Sequence, residues 1–471
     1  LTRPLFTLAL LISIVSALPG GPALAGRLAE IISSDPITQR TFVGVQVVDA
    51  DSGEVLFDRD AQHLFTPASN MKLYTSACAL ATWGADHGFT TDVGAEGDVG
   101  SDGVLRGNLI LRGGGDPTLR TEDLQGLARR VHDEMGLRRI SGDVVVDESL
   151  FDPTRKGPGW MWDDDPDPYN MSLSSIMLDY NVLSVTVAPA AAVGAPPQAT
   201  LQPPGDYPPI SNSALTADDD HLVVTRRPFT DAIEVTGAIA QTATPVTRKL
   251  TMHDPALWAA GVFRHMLADA GVEVQGDARA VTQPTNVTPR LTLEGRPLAE
   301  ILSLFNKPSE NAIGEMLIHD LAVHDNRVPA TWGAGAQIIT QWLTGVVGLD
   351  PGDFRTVDGS GLSRYDEICP AGTVRLLRHM WQRPDREIYL ASLPIASVDG
   401  SLRGRMAGTA AAGHVHAKTG TMSGVSCLSG YVETAGGRWL IFSILTNGYI
   451  GSSGPSQALQ DRLCIAMAQT P

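Results

Sequence analysis

Lysine is the scarce charge in this 471-residue chain: Lys72, Lys156, Lys249, Lys307 and Lys418 stand against thirty arginines. Positive charge as a whole is outnumbered, 35 Lys and Arg against 52 Asp and Glu, for a formal net charge of −17. An acidic surface repels nucleic-acid phosphate and anionic lipid headgroups, so neither is expected as a general partner. Cysteine is rare as well. Cys78, Cys369, Cys427 and Cys464 are too widely spaced for a zinc pattern. They fall in apolar stretches and read as buried free thiols, although an even count in an exported chain also permits disulfides. Beyond the N-terminus no segment reaches the roughly eighteen apolar residues of a membrane span, and there is no internal repeat.

What is present begins with an export signal. Arg3 supplies a short positive region, Leu5 to Leu18 is apolar, and Ala23-Leu24-Ala25 is a small-x-small cleavage site before Gly26. The alternative is an uncleaved anchor, for which the apolar run is short. After cleavage the protein is expected to be secreted or periplasmic, with no stable membrane span. Its length and 43% hydrophobic content predict two or three domains. Arg27 to Ser34 reads as a helix, Thr41 to Val48 and Glu54 to Asp58 as strands, and Pro67 to Trp83 as a helix ended by Gly84. From about residue 90 to 290, Gly, Asp, Val and Thr dominate a β-rich insertion with an exposed connection at Pro189 to Pro209. Helices return at Ala299 to Phe305 and Asn311 to His324. Val415 to Thr419, Leu428 to Glu433 and Arg438 to Thr446 read as strands, and Ser456 to Ala468 as a closing helix. Strands at both ends with helices between predict one α/β domain interrupted by the insertion.

Two of the five lysines, Lys72 and Lys418, sit in motifs that need one. Ser69-Asn70-Met71-Lys72, Ser309-Glu310-Asn311 and Lys418-Thr419-Gly420 each occur once. In that order, with the first at a helix start and the last on a strand, they match the active-site set of penicillin-recognising serine enzymes. The chemistry explains the residue types. Arginine cannot lose its proton near neutrality, whereas a desolvated lysine can. Lys72, one helical turn above Ser69, is placed to be the base that activates its hydroxyl. Ser309 can relay a proton to the leaving amine, and Asn311 can hold the acyl-side amide. Lys418 adds positive potential, and the Thr419 and Thr421 hydroxyls can bind a terminal carboxylate. The Ser69 and Thr421 backbone N–H groups suit an oxyanion hole, with the Gly420 strand laid beside an extended substrate. Separately, each motif is as well explained by a surface lysine, a capping serine or a Thr-Gly turn; jointly they are not.

The chain resembles the D-alanyl-D-alanine carboxypeptidase/endopeptidase family, the class C low-molecular-mass penicillin-binding proteins. The resemblance extends over Leu111 to Leu119, Asn306 to Asn311, Asp358 to Arg364, Val398 to Arg403 and His414 to Thr421. Glu310 departs from it, because that position is more often Asp. The resemblance implies a penicillin-binding, serine β-lactamase-like transpeptidase domain, an antiparallel sheet flanked by helices, formed by residues 26–90 and 290–471. Residues 1–25 would be the signal peptide and 91–289 the β-rich insertion, as two nested subdomains. It implies peptidoglycan stem peptides and β-lactam antibiotics as ligands, and no cofactor. Pro158 to Asp164 with Tyr169 resembles the segment that reaches over the site, which would place Trp160, Asp163 and Tyr169 in a subsite for the stem-peptide side chain. Met422 would contact the same ligand, and Arg364 would support substrate binding or close a turn. Lys307 is implied as a supporting residue.

Competing features are weaker. Gly113-Gly114-Gly115-Asp116 lacks the Lys-Ser/Thr of a phosphate loop and reads as a tight turn. His414 and His416 lack a third metal ligand, and Asp163-Asp164-Asp165 lacks calcium-loop spacing. The alternatives to a peptidase are a serine β-lactamase, for which no extra deacylation base is evident, and a catalytically silent cell-wall binding protein.

Overall fold

The computed structural model describes residues 21–205 and 207–471. Most of the expected export signal, residues 1–20, lies outside them. Residues 21–25, including the expected cleavage site, form the start of the helix Gly21–Ser34, which begins earlier than the predicted Arg27. Its Leu24, Leu28 and Ile32, one turn apart, are all buried. No helix among the described residues is long and apolar enough to cross a membrane.

The sheet that carries the site has five antiparallel strands in the order Val55–Arg59, Phe42–Asp49, Trp439–Asn447, Val425–Glu433, Val415–Met422. The first strand of the chain thus pairs with the last, Phe42 opposite Asn447. Its strands read as nearly continuous apolar runs because both faces are covered. Val43, Val45, Val47, Leu440, Phe442 and Ile444 pack with the terminal helices Gly21–Ser34 and Gly454–Ala468. Val48, Ile441, Leu445, Cys427 and Tyr431 face a second core with the helices Met71–Trp83, Asn311–His324 and Pro370–Trp381. The period-two alternation sorts successive residues between the two cores.

A third core lies wholly within residues 93–291. It is built on a seven-stranded sheet centred on the antiparallel pair Thr90–Val99 and Val104–Gly114, whose edge is Pro289–Glu294 against Thr90–Val99. Smaller sheets follow, among them Val246–Thr251, Val182–Ala188 and Gln198–Gln202. Two helices, Thr121–Asp133 and Pro255–Asp269, are additions to the β-rich reading. The second starts where Asp254 accepts from the Leu257 N–H with Pro255 in the first turn. The stretch Pro189 to Pro209 is not simply a connection, since Gln198–Gln202 is a paired strand. All four cysteines are buried and free.

Candidate active site

Ser69 lies in a 3₁₀ turn, Ala68–Asn70, that leads directly into the helix Met71–Trp83. The predicted helix therefore begins as a tighter turn. Ala68 has φ 47°, a left-handed conformation for a residue with a Cβ, and its carbonyl is closely backed by Gly361. A Cβ on Gly361 would lie 1.9 Å from the Ala68 oxygen. On the other side, a Cβ on Gly420 would lie 2.5 Å from the Pro67 oxygen and 3.1 Å from the Asn70 nitrogen. Only glycine lets the Val415–Met422 strand pass this close to the Ser69 turn. The Asn70 side-chain amide ties the two together by donating to the Lys418 carbonyl at 3.0 Å.

Two of the three motifs meet at Lys72, which is fully buried. Its Nζ donates to Ser69 Oγ at 3.0 Å, Asn311 Oδ1 at 2.7 Å and the Ser360 carbonyl at 2.7 Å. The last two partners are pure acceptors. When Nζ is neutral, its two hydrogens satisfy them and the lone pair is left facing the Ser69 hydroxyl. Burial lowers the Lys72 pKa to about 8, against the opposing pull of the Asp358, Glu315, Glu310 and Asp366 carboxylates. Lys418 Nζ donates to Ser309 Oγ at 2.8 Å and to the Thr419 carbonyl at 2.9 Å. Burial, and then Lys72, push the Lys418 ammonium well below the usual lysine range. This runs against the expectation that Lys418 works simply by keeping its charge. The two buried amines disfavour each other's charge, and a carboxylate beside them would stabilise the proton on Lys418.

Ser309 itself has φ 69°. Glu310 caps the helix Asn311–His324 by accepting from the Ala312 N–H, so the longer acid at this position has a structural task. Burial pushes its carboxyl upward. Asn311 Nδ2 donates to the Tyr169 carbonyl at 2.9 Å, linking the site to the segment above it. Thr419 Oγ1 lies 2.7 Å from Ser401 Oγ. The Ser401 loop is held by Lys307, whose carbonyl accepts from the Ser401 N–H and whose Nζ reaches Asp399 at 2.6 Å and the Leu393 carbonyl at 3.0 Å. Lys307 thus supports the site without entering it.

A cleft of about 350 Å³ opens over Ser69, lined also by Ser309, Asn311, Thr421 and Met422 and, from the opposite side, Met161, Asp164, Tyr169 and Arg364. The structure brings Met422, Tyr169 and Arg364 to this cleft. It does not bring Trp160 and Asp163 there. Trp160 turns its ring inward, stacks edge-on against Trp332 at 6.1 Å, and donates Nε1–H to Asp358 Oδ2 at 2.9 Å. Asp163 is exposed and lines neither this cleft nor its neighbour. The acid in the cleft wall is Asp164, which accepts from the Tyr169 hydroxyl at 2.8 Å. The run of three aspartates hid this one-residue shift.

The sequence reading also missed a group of buried carboxylates behind Lys72: Glu315, Asp358 and Asp366. Glu315 accepts from the Ser360 N–H at 2.9 Å and from Trp332 Nε1 at 2.6 Å. Asp358 accepts from the Gly361 and Ser363 N–H groups, each at 2.6 Å. These bonds fix the loop that presents the Ser360 carbonyl to Lys72. Burial, with Asp358 beside it, raises Glu315 to about 8, and burial pushes Asp366 well above the carboxylate range. The stretch Asp358 to Arg364 was the available signal, but nothing in it shows that Asp358 faces inward.

A second, larger cleft of about 720 Å³ adjoins the first and shares Tyr169, Ser309 and Asn311 with it.

Residues 24–468 match the family described as D-Ala-D-Ala carboxypeptidase 3 (S13). The chain is 38% identical over 483 aligned residues to the D-alanyl-D-alanine carboxypeptidase of Actinomadura sp. (strain R39), covering 97% of this chain and 88% of that protein. Its fold is similar to that of penicillin binding protein 4 (dacB) from Haemophilus influenzae, with a TM-score of 0.83 at 24% identity over 94% of this chain and 99% of that one. A second structure of that protein, complexed with a β-lactam, matches with a TM-score of 0.76 at 23% identity over 93% and 98%.

Proposed function

Because the chain belongs to the D-Ala-D-Ala carboxypeptidase 3 (S13) family, we propose that it is an exported serine peptidase that opens D-alanyl-D-alanine bonds of peptidoglycan stem peptides, including cross-links, through an acyl-enzyme on Ser69. The single observation that carries the serine mechanism is the Ser69 hydroxyl 3.0 Å from a buried lysine amine whose other partners can only accept. Lys72 takes the Ser69 proton as the hydroxyl attacks the D-alanyl carbonyl. The oxygen that becomes negative is received by the Ser69 and Thr421 backbone N–H groups. Ser309, bonded to Lys418, delivers a proton to the departing nitrogen. Lys418, Thr419 and Thr421 receive the terminal carboxylate, and Asn311 orients the acyl side. Water then hydrolyses the ester and restores Ser69. Asp164, Tyr169, Met161 and Arg364 line the wall where the stem-peptide side chain would lie.

β-Lactams enter the same reaction, since their carbonyl and carboxylate mimic those of the peptide. Incubation with a fluorescent penicillin followed by intact mass measurement is expected to show one adduct, lost in Ser69→Ala. No adduct, or one that persists in that variant, would sink the mechanism. Export is tested separately by N-terminal sequencing of the mature protein, expected to begin at Gly26; a product that retains the apolar segment would refute cleavage there.

A further inference from the structure

The second cleft lies on the Ser309 side of the site and is walled mainly by the insertion. Lys249 projects from the strand Val246–Thr251, exposed, and makes no ion pair or side-chain hydrogen bond among the described residues. In a chain that otherwise uses arginine for ordinary positive charge, Lys249 is a lysine outside the three motifs. Across the cleft the Arg120 guanidinium sits 3.8 Å from the centre of the Tyr180 ring and 4.0 Å from Asp179. The turn that presents Tyr180 is strained. Asp179, Tyr180 and Asn181 have successive φ values of 46°, 60° and 56°. Left-handed backbone is costly for a residue such as Tyr, and it persists only where its surroundings impose it. Here they do: the Asp179 N–H donates to the Leu119 carbonyl, the Asn181 side chain donates to the Ser172 carbonyl, and the Met252 N–H donates to the Asn181 carbonyl. Strain of this kind concentrates at ligand clamps.

The two clefts meet at Ser309, the group placed to protonate the departing nitrogen. In a carboxypeptidase reaction that nitrogen belongs to one free amino acid, for which the smaller cleft suffices. In cross-link cleavage it belongs to a second stem peptide, which must extend away from the site. We propose that the larger cleft is the subsite for this leaving strand, a peptide one of whose carboxylates Lys249 engages in a lining that also holds Glu122, Asp179 and Glu310, while Tyr169 and Tyr180 cover its apolar segments. The inference rests on the peptidase reading given above. The bonds balance as in the simple reaction: Ser69 Oγ bonds to the D-alanyl carbon, the amide C–N bond breaks, the leaving amine keeps its electron pair and gains a proton through Ser309 that balances the one Lys72 took, and water later splits the ester into acid and alcohol.

The test compares kcat/KM for a cross-linked muropeptide dimer and for the monomeric pentapeptide. Lys249→Glu is expected to lower the dimer-to-monomer ratio by about tenfold, the size of one lost charge-assisted contact, and Lys249→Arg to retain most of it. Arg248→Glu makes the same charge change one position away, on the opposite face of the exposed strand. If it lowers the ratio equally, the effect is general field and the proposal falls. The proposal also falls if Lys249→Glu leaves the ratio unchanged, or if the wild-type protein cleaves monomers but not dimers. Absence of both peptidase activities and of any penicillin adduct would instead overturn the peptidase reading itself.

Discussion

Replacing Lys72 by arginine keeps a cation and removes a base. An exposed lysine, with its ordinary pKa of about 10.5, is neutral in roughly one molecule in three thousand at pH 7. Lowered by burial to about 8, Lys72 is neutral in roughly one in ten. Burial therefore enlarges the competent population about 300-fold, and arginine forfeits all of it because its proton does not leave. General-base assistance is worth about 10²- to 10⁴-fold, so acylation of Lys72→Arg by a fluorescent penicillin is expected to fall by about 10²- to 10⁴-fold. The wild-type rate should climb about tenfold per pH unit on the acidic side and level off above about pH 8, since raising the pH through the lowered pKa creates the neutral amine. Stopped-time gel fluorescence between pH 6 and 9.5 reads both effects, with thermal unfolding as the control for folding. A folded Lys72→Arg protein that acylates at near-normal rate, or a wild-type rate indifferent to pH across this interval, would refute the assignment.

Three further outcomes are expected. Gly361→Ala should cost about 3 kcal/mol or more, from a φ of 81° and a Cβ 1.9 Å from the Ala68 carbonyl, and should slow acylation by displacing the turn that carries Ser69; an unchanged melting temperature and rate would count against that packing. Glu315→Gln turns one acceptor into a donor facing the Ser360 N–H or Trp332 Nε1–H, so a loss of about 1–3 kcal/mol is expected; because Glu315 ionises only near pH 8 and its charge raises Lys72, the acylation profile should move to lower pH in its upper part, and stability loss with an unmoved profile would limit Glu315 to a structural role. Trp160→Phe should lower stability but leave the preference among stem-peptide side chains alone, whereas Asp164→Asn should alter that preference; the reverse pattern in competition assays would restore Trp160 to the cleft.

The catalytic half of the molecule was readable because its signals are local. Asn311–His324 forms as predicted, and the three C-terminal strands and the closing helix differ by a few residues at their ends. Ser69, Lys72, Ser309, Asn311 and Lys418 meet because each motif constrains its own backbone. The insertion was less readable. The helix Thr121–Asp133 has only Leu124, Leu127, Ala128 and Val131 buried, a narrow apolar stripe in a polar stretch. Asp163 was preferred to Asp164 because successive aspartates in a loop have no periodicity to separate inward from outward. A buried carboxylate is recognised by the backbone N–H groups around it: those on Glu315 come from a loop distant in sequence, and those on Asp358 and Asp366 from their own loop, where nothing periodic marks the inward residue.

The pairing of Phe42 with Asn447 also sets a schedule for assembly. The hairpin made first, Phe42–Arg59, acquires its inner neighbour only when the final strand of the chain has been synthesised. Until then its open edge can pair with other chains, and the Ser69 turn lacks the Val415–Met422 strand that lies against it. The insertion, whose core is closed within its own sequence, is free to fold earlier. Late closure across such a span is slow, and it leaves the Ser69 turn without its neighbouring strand until residues 415–447 have been made.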